Sequence, residues 1–304
     1  MTGSVTVRPA RPRRNLADLA SAAVLITPSL LGYLVFVVGP TVVGIVLSFF
    51  SWDLFSPPRY VGLKNFDRLF HDAAMLTALG NTAKFLVLGV IPTVVIGFLL
   101  AVFVNVSIKG VGGVRTLYFV PLVTSVAVSS IIWAWIYQPQ SGIVNRLLKL
   151  VGIDGPDWLT DTTWALPALT IMLIWLSVPL VIILYLAALQ RIPETLYEAA
   201  KIDGAGAWAR IWHIVWPNVS TTTILVLLLE ILNFTAAPFE IALIMTDGGP
   251  LHGTESLSLY IYKTAFANSQ VGYASALSIL QFVVIALAVL LLRTLQQLGK
   301  RRSS

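Results

Sequence analysis

Residues 191–220 read RIPETLYEAAKIDGAGAWARIWHIVWPNVS and lie between two long apolar runs, Trp164–Leu189 and Thr221–Met245. Each run is long enough to cross a hydrocarbon core about 30 Å thick as a helix. Within the more polar stretch, Glu194–Ile202 has a helical pattern, and Gly204 then breaks it because glycine tolerates a left-handed turn. The pattern predicts two spanning helices joined by a helix–turn–helix.

Four further apolar runs of spanning length occur along the chain, at Leu19–Phe50, Leu79–Val106, Val114–Ile136 and Tyr273–Leu292. Of the 304 residues, 57% are hydrophobic and 11% are charged, against roughly 25% charged residues in an ordinary soluble domain. A soluble fold cannot bury so much apolar surface, and isolated strands cannot satisfy their backbone in lipid. We therefore expect an all-α integral membrane protein with six transmembrane helices and a cytoplasmic helix between the fourth and fifth.

Basic residues set the expected orientation of the chain. Most of the 20 Lys and Arg residues fall near the two ends and in the loops after the second and fourth runs. Because cytoplasmic segments are enriched in these residues, we expect a multi-pass protein of the cell membrane with both termini in the cytoplasm. The expected parts are a basic tail at 1–18, a membrane domain at 19–293 with a loop at 190–218, and a second basic tail at 294–304. The net charge of +6 then indicates anionic lipid, and not nucleic acid, as the negative partner.

The stretch between the fourth and fifth runs allows two interpretations. Small residues gather at its bend and would let another protein backbone approach closely: Ala199, Ala200, Gly204, Ala205 and Gly206. Alternatively, the stretch is an amphipathic linker on the lipid headgroups, with Trp208, Trp212 and Trp216 as interfacial anchors. Physical chemistry alone favours neither.

The spacing in this stretch resembles the EAA loop of permeases of ABC importers. Glu198-Ala199-Ala200 is followed after three residues by Gly204, after nine more by Ile214, and then by Trp216-Pro217. The family usually ends this motif in Leu-Pro, so Trp216 is a departure. The resemblance implies a type I importer permease fold in which the loop forms a coupling helix seated in a groove of an ATPase subunit. It places six residues at that contact: Glu198, Ala199, Ala200, Asp203, Gly204 and Ala205.

Segments outside the loop extend the resemblance to carbohydrate-type importers. Residues 59–66, RYVGLKNF, are similar to the first outer loop of such permeases, and residues 69–72, LFHD, are similar to a short stretch of the glycerol-phosphate type. Residues 246–250, TDGGP, resemble the segment presented to a substrate-binding protein. The resemblance implies the first permease of a maltose-type or glycerol-phosphate-type pair. It places the binding-protein contact at Asp247, Gly248, Gly249 and Pro250.

The chain lacks the motifs of an enzyme. It has no G-x-x-x-x-G-K-[ST] phosphate-binding loop and no cysteine, and His71, His213 and His252 do not have metal-ligand spacing. We therefore expect no catalytic residue, no metal site and no cofactor on this chain. The resemblance implies that ATP and Mg²⁺ bind to a partner ATPase dimer. It also implies a second homologous permease and an extracytoplasmic substrate-binding protein as partners.

Acidic residues inside the apolar runs mark a candidate solute pathway, because an ionisable group at membrane depth is costly unless it faces an interior cavity. At about 100° per residue, one face of the fifth run carries Glu230, Asn233, Phe234 and Glu240. Trp175 and Ser177 lie in the fourth run, where the resemblance implies the border of a substrate cavity.

Each pathway assignment has a structural alternative. Glu230 and Asn233 can bond neighbouring helices without contacting solute, Glu240 can simply be exposed, and Trp175 can be a packing residue. A wall of acids and aromatics suits a neutral sugar or a cation-bearing glycerophosphodiester better than a bare phosphate. An ion-coupled secondary transporter is the second functional interpretation, although the sequence shows no repeated halves.

Overall fold

The computed structural model describes residues 16–105 and 118–302 and is almost entirely helical. Its α-helices are, in chain order, α1 Leu16–Tyr33, α2 Gly39–Leu47, α3 Lys64–Leu69, α4 Ala73–Val104, α5 Val126–Ile136, α6 Ile143–Leu150, α7 Ala165–Leu189, α8 Glu194–Ile202, α9 Ala207–Arg210, α10 Trp216–Ala236, α11 Pro238–Met245, α12 Leu257–Tyr262 and α13 Val271–Arg302. Three π-helical turns lie at Leu34–Val38, Ile211–Val215 and Lys263–Ala267, and residues 118–123 are also helical. A short antiparallel ribbon pairs β1, Phe50–Ser51, with β2, Arg59–Tyr60.

Five helical runs within the described residues are long and apolar enough to cross a membrane: Ala23–Leu47, Ala73–Val104, Ala165–Leu189, Ala207–Met245 and Val271–Thr294. They coincide with five of the six runs predicted from the sequence. The chain is therefore a multi-pass membrane protein built from helices.

The third predicted run, Val114–Ile136, is not one continuous helix in its described part. The helical residues 118–123 are followed by a break at Thr124 and Ser125, and α5 then begins at Val126. At the break, Thr124 Oγ1 donates to the carbonyl oxygen of Pro121 at 3.0 Å, and Ser125 has the extended backbone that precedes α5. A pattern of apolar residues does not register a two-residue break of this kind, so the sequence predicted an unbroken span. Residues 106–117, which include the start of this run, lie outside the described residues.

The core forms where α4, α7 and α10 pack together. Phe85 of α4, Tyr185 of α7 and Phe234 of α10 are almost completely buried in one cluster. Gly89 allows α4 to lie close to Phe234 of α10, because a Cβ at this position would overlap the Phe234 ring. Small residues at such crossings let membrane helices gain packing contacts that lipid cannot replace.

The predicted helix–turn–helix is present, but its second helix continues into the membrane. From Ala207 the chain remains helical through the π-turn and α10 to Met245, a run of 39 residues. Pro217 falls in the first turn of α10, a position where the absent N–H of proline interrupts little. The proline therefore marks no boundary between a loop helix and a spanning helix.

The two ends of the chain differ in how they pack. No residue of the first span, Ala23–Leu47, is buried, and α2 contacts α13.

Helix α13 continues to Arg302, so 294–302 are helical within the range predicted as a carboxy-terminal tail. Residues 1–15 of the predicted amino-terminal tail lie outside the described residues.

Candidate functional site

A cavity of about 340 Å³ lies between α7, α10 and the broken third segment. Its walls are mostly aliphatic. Four polar side chains line it: Thr124, Ser177, Glu230 and Asn233. The structure thus brings together three residues predicted for the solute pathway, one from α7 and two from α10.

Asn233 links the polar groups of this cavity. Its Nδ2 donates to Ser177 Oγ at 2.8 Å and lies 3.4 Å from Glu230 Oε2. The Glu230 side chain is 1% exposed, and within the described residues it forms no ion pair. Asn233 therefore bonds a neighbouring helix, and both Glu230 and Asn233 line the cavity. Contact of either residue with a solute stays a prediction.

The break in the third segment forms the opposite wall. Irregular backbone at membrane depth is tolerated where it is buried in protein or lines a cavity, and Thr124 lines this one. Its Oγ1 also accepts a hydrogen bond from Ser129 Oγ at 3.2 Å. Sequence reasoning did not find this residue, although Pro121 and the Thr124-Ser125 pair inside an apolar run were a signal for it.

Three predicted pathway residues do not line the cavity. Phe234 is completely buried and packs on Gly89 of α4. The Trp175 ring packs on Trp133 with 5.7 Å between ring centroids. Glu240 is half-buried near the start of α11. The positions of Phe234 and Trp175 are those of packing residues.

The bend of the predicted coupling loop is a Schellman turn that ends α8. Gly204 has a φ of +74°, its N–H donates to the Lys201 carbonyl at 3.1 Å, and the Ala205 N–H donates to the Ala200 carbonyl at 2.8 Å. The glycine is required because L residues with a Cβ are strained in this conformation. Of the six residues predicted to contact an ATPase, Glu198, Ala199, Asp203 and Gly204 are exposed, whereas Ala200 and Ala205 are half-buried.

A row of aromatic rings runs from this turn into the core. Trp208, Trp212 and Trp216 follow one another with ring centroids 6.0 Å and 6.1 Å apart, and Trp216 packs on Phe98 at 5.7 Å. The exposed fraction of the tryptophans falls from 66% to 50% and then 39% along the row. The turn with its small residues is the feature expected of a docking site, and the row of tryptophans is the feature expected of a linker on the lipid headgroups. The structure contains both features side by side.

A smaller cavity of about 250 Å³ lies behind the coupling turn, with Tyr197, Arg210 and Asn105 in its wall. Burial raises the pKa of the Tyr197 phenol, and the charge of Arg210 partly offsets this rise. Tyr197 also packs against the main core cluster. The side of α8 opposite its exposed residues is therefore fixed to the membrane domain.

The predicted binding-protein segment forms a well-anchored loop after α11. Asp247 is exposed, Gly248 is buried, and the Gly249-Pro250 bond is cis. Lys263 Nζ holds Asp247 through its carbonyl oxygen at 2.7 Å and its Oδ1 at 2.9 Å. The most exposed residue of the loop is Leu251, which is 86% exposed and was not predicted from the sequence.

A second cluster on the same side fixes the start of α4. Asp72 caps the helix by accepting from the Ala74 and Met75 N–H groups, and its Oδ2 accepts from the Tyr260 and Tyr273 hydroxyls at 2.6 Å each. Partial burial would raise the pKa of Asp72, but these hydrogen bonds outweigh it and hold the pKa below its ordinary value. This carboxylate joins α4, α12 and α13 into one unit.

Residues 83–302 match the family model for the inner membrane component of binding-protein-dependent transport systems. The chain is 34% identical to the probable ABC transporter permease protein YurN of Bacillus subtilis, over 85% of this chain and 90% of that protein. It is 30% identical to the sn-glycerol-3-phosphate transport system permease protein UgpA of Agrobacterium fabrum, over 90% and 94% of the two chains.

A solved structure has the same fold. It is a bacterial alginate ABC transporter in complex with an alginate pentasaccharide-bound periplasmic protein. The match has a TM-score of 0.79 and 25% identity, and it covers 91% of this chain and 93% of the other.

Proposed function

Because this chain belongs to the family of inner membrane components of binding-protein-dependent transport systems, and is thus a permease of an ABC importer, we propose that it forms one half of a solute pathway driven by separate ATPase subunits. The family assignment favours the importer over the ion-coupled transporter that the sequence also allowed. Two features of the chain support the proposal: a mostly aliphatic cavity that contains four polar side chains, and an exposed turn at Gly204 at one end of the bundle.

The observation that carries the pathway assignment is the cavity lined by Ser177, Glu230, Asn233 and Thr124. Two of its sides come from continuous helices and the third from a broken one. Many secondary transporters place substrate sites at discontinuous membrane helices, where free backbone groups and side chains meet a solute, and the break at Thr124 and Ser125 supplies groups of this kind here. These four polar groups in an aliphatic wall suit a solute that forms several hydrogen bonds.

The chemistry of this wall favours a sugar or a glycerol-phosphate derivative without a net negative charge. Glu230 is the ionisable group of the cavity, and the described lining contains no Lys or Arg. A bare phosphate would meet a carboxylate here without a compensating cation on this subunit. A neutral sugar, or a glycerophosphodiester with a cationic head group, accepts and donates hydrogen bonds without that repulsion.

The coupling turn is the proposed contact with an ATPase. Glu198, Ala199, Asp203 and Gly204 are exposed around a turn whose small residues leave room for another backbone. A dimer of ATPase subunits would bind ATP and Mg²⁺, and a second homologous permease would complete the pathway. With this turn in the cytoplasm, both termini are also cytoplasmic.

On the opposite side, the loop at Asp247–Pro250 is the proposed contact with an extracytoplasmic substrate-binding protein. The loop is held by Lys263 and presents Leu251 beyond it. A rigid loop of this kind loses little conformational entropy when a partner docks.

The test is transport by the reconstituted complex. The chain is purified with its ATPase, its second permease and its binding protein, and placed in proteoliposomes with maltose, sn-glycerol 3-phosphate or glycerophosphocholine outside. We expect ATP-dependent uptake of the neutral or zwitterionic solute, and little of the dianionic phosphate. Uptake driven by an ion gradient without ATP would contradict the proposal.

A further inference from the structure

Helix α6 lies between the end of α5 and the start of α7, on the membrane side opposite the coupling turn because α7 separates them. Its inner side packs on the protein, with Val144 and Leu148 against a cluster that contains Tyr137 and Ala168. Tyr137 directly follows α5, and Ala168 lies in the first turn of α7. The helix is therefore held at the level where two membrane segments end.

Asn145 fixes the orientation of α6. Its Nδ2 donates to the carbonyl oxygens of Pro139 at 3.1 Å and Pro156 at 3.2 Å, and its Oδ1 accepts from Trp158 Nε1 at 2.6 Å. These bonds tie the helix to the chain before and after it. The direction in which the other faces of α6 point is thus set by the fold.

The outward side of α6 is aliphatic. Ile143, Leu147 and Leu150 recur at the spacing of one helical face and are 58%, 59% and 82% exposed. Arg146 and Lys149 are exposed on the adjoining face. An aliphatic face flanked by basic side chains is typical of helices that lie in a membrane interface.

Two exposed tryptophans mark the depth of this helix. Trp135 in the last turn of α5 is 70% exposed, and Trp164 at the amino-terminal cap of α7 is 43% exposed. Tryptophan concentrates at the boundary between hydrocarbon and water. Because α6 is connected and packed between these two positions, its aliphatic face lies at the level of the lipid headgroups.

We propose that α6 is an interfacial helix that inserts Ile143, Leu147 and Leu150 into the leaflet opposite the coupling turn, while Arg146 and Lys149 bind the phosphates of anionic phospholipids. The basic residues beside this face and the exposed Trp135 and Trp164 near both ends of the segment favour lipid over a protein occupant. Both basic side chains line a hollow of about 340 Å³ between α6 and residues 153–155. The carboxylate of Asp154 also lines this hollow, so a headgroup phosphate there would meet two positive charges and one negative charge.

The test uses the full chain, which contains no cysteine, so that each single-cysteine variant carries one fluorescent label. Leu147→Cys and Ile143→Cys place the label on the aliphatic face, and Asp154→Cys places it on an exposed residue at the other side of the hollow. The labelled proteins are reconstituted in vesicles with a nitroxide high on the lipid acyl chain. We expect this nitroxide to quench the two helix labels roughly three times more than the Asp154 label.

Two results would overturn the insertion of the helix. One is equal nitroxide quenching of all three labels, together with equal quenching by iodide from the water. The other is a Leu147 label that is shielded from iodide only after an external binding protein is added, since that would identify the face as a protein docking surface.

A second comparison tests the basic residues. In vesicles that contain phosphatidylglycerol, the double variant Arg146→Gln/Lys149→Gln should lose roughly half of the nitroxide quenching at Leu147, because basic residues near an anionic surface are attracted to it. In phosphatidylcholine vesicles the double variant should match the parent. Equal quenching of parent and variant in phosphatidylglycerol would exclude the phosphate contact.

Discussion

Asn233 of α10 and Ser177 of α7 are joined by a hydrogen bond of 2.8 Å between Nδ2 and Oγ, directly beside the Glu230 carboxylate. The bond links two core helices at the wall of the cavity. Among the described residues, Glu230 forms no ion pair with a basic side chain. A solute that enters the cavity therefore meets a polar group that is already held in place.

The Glu230→Gln variant tests whether this carboxylate selects the solute. Gln keeps the size and the hydrogen-bonding capacity of the side chain but removes its charge. A hydrogen bond to a charged group is worth about 1.5–3 kcal/mol, so the half-saturation concentration for a cation-bearing solute should rise at least about tenfold. Uptake of a neutral sugar should change much less. Unchanged affinity for both kinds of solute would exclude this role.

The Gly204→Glu variant tests the coupling turn. No atom lies within 4 Å of the position that a Cβ would occupy, so the variant should fold, with backbone strain of about 1–2 kcal/mol. The added side chain would obstruct docking, so ATP hydrolysis should persist while solute uptake falls at least about tenfold.

A matched control is available on the other side of the membrane. Gly152 also has a positive φ, of +79°, and no atom within 4 Å of its Cβ position. Gly152→Glu therefore introduces the same side chain and similar strain away from the coupling turn, and it should leave uptake near normal. Loss of uptake in both variants would mean that strain, and not docking, is the cause.

The Gly89→Ala variant tests the packing of α4 against Phe234 of α10. In a helix, Ala is favoured over Gly by about 1 kcal/mol, but overpacking a rigid core costs about 1–3 kcal/mol. Because the Phe234 ring is completely buried and cannot move aside, overpacking should dominate and the midpoint of thermal unfolding in detergent should fall. The double variant Gly89→Ala/Phe234→Leu should recover part of the loss. A single variant as stable as the parent would show that the ring can shift.

Asp72 provides a pH-dependent prediction. Asp72→Ala removes a helix cap and the acceptor of two tyrosine hydroxyls, and it should destabilise the protein by about 1–3 kcal/mol at neutral pH. The pKa of Asp72 is lower in the folded chain than its ordinary value, so its stabilisation is complete above the unfolded pKa of about 4 and is lost as pH falls through the folded pKa. Thermal unfolding of parent and variant should therefore converge below about pH 4. Asp72→Asn, which keeps the cap, should lose less at neutral pH.

The positions of the spans could be predicted from apolar length, and those of Glu230 and Asn233 from polar residues at helical spacing. Ser177 was a candidate only because the family resemblance implied a substrate cavity beside the fourth run. The orientation of Phe234 could not be predicted from the sequence. Adjacent residues on a helix differ by about 100°, so Asn233 faces the cavity while Phe234 faces α4. Which of two neighbouring directions is cavity and which is core depends on the packing of other helices.

The break at Thr124 was missed for a different reason. The break spans only two residues, Thr124 and Ser125, whereas a hydropathy pattern averages over about 20 residues. The continuity of α9 with α10 was missed because Pro217 is compatible with the first turn of a helix. Both errors concern backbone hydrogen bonding and not residue polarity.

The helical run from Ala207 to Met245 has 39 residues, which corresponds to a contour length of about 58 Å at 1.5 Å per residue. This is nearly twice the thickness of the hydrocarbon core. One end adjoins the coupling turn, the other adjoins the outer loop at Asp247, and Glu230 lies between them. The uninterrupted α-helical part of this run is α10, which has 21 residues and connects the turn side to the cavity wall. A tilt of α10 by about 5° would displace one of its ends relative to the other by about 3 Å. A small rotation imposed at the turn would then reach Glu230 without any local unfolding.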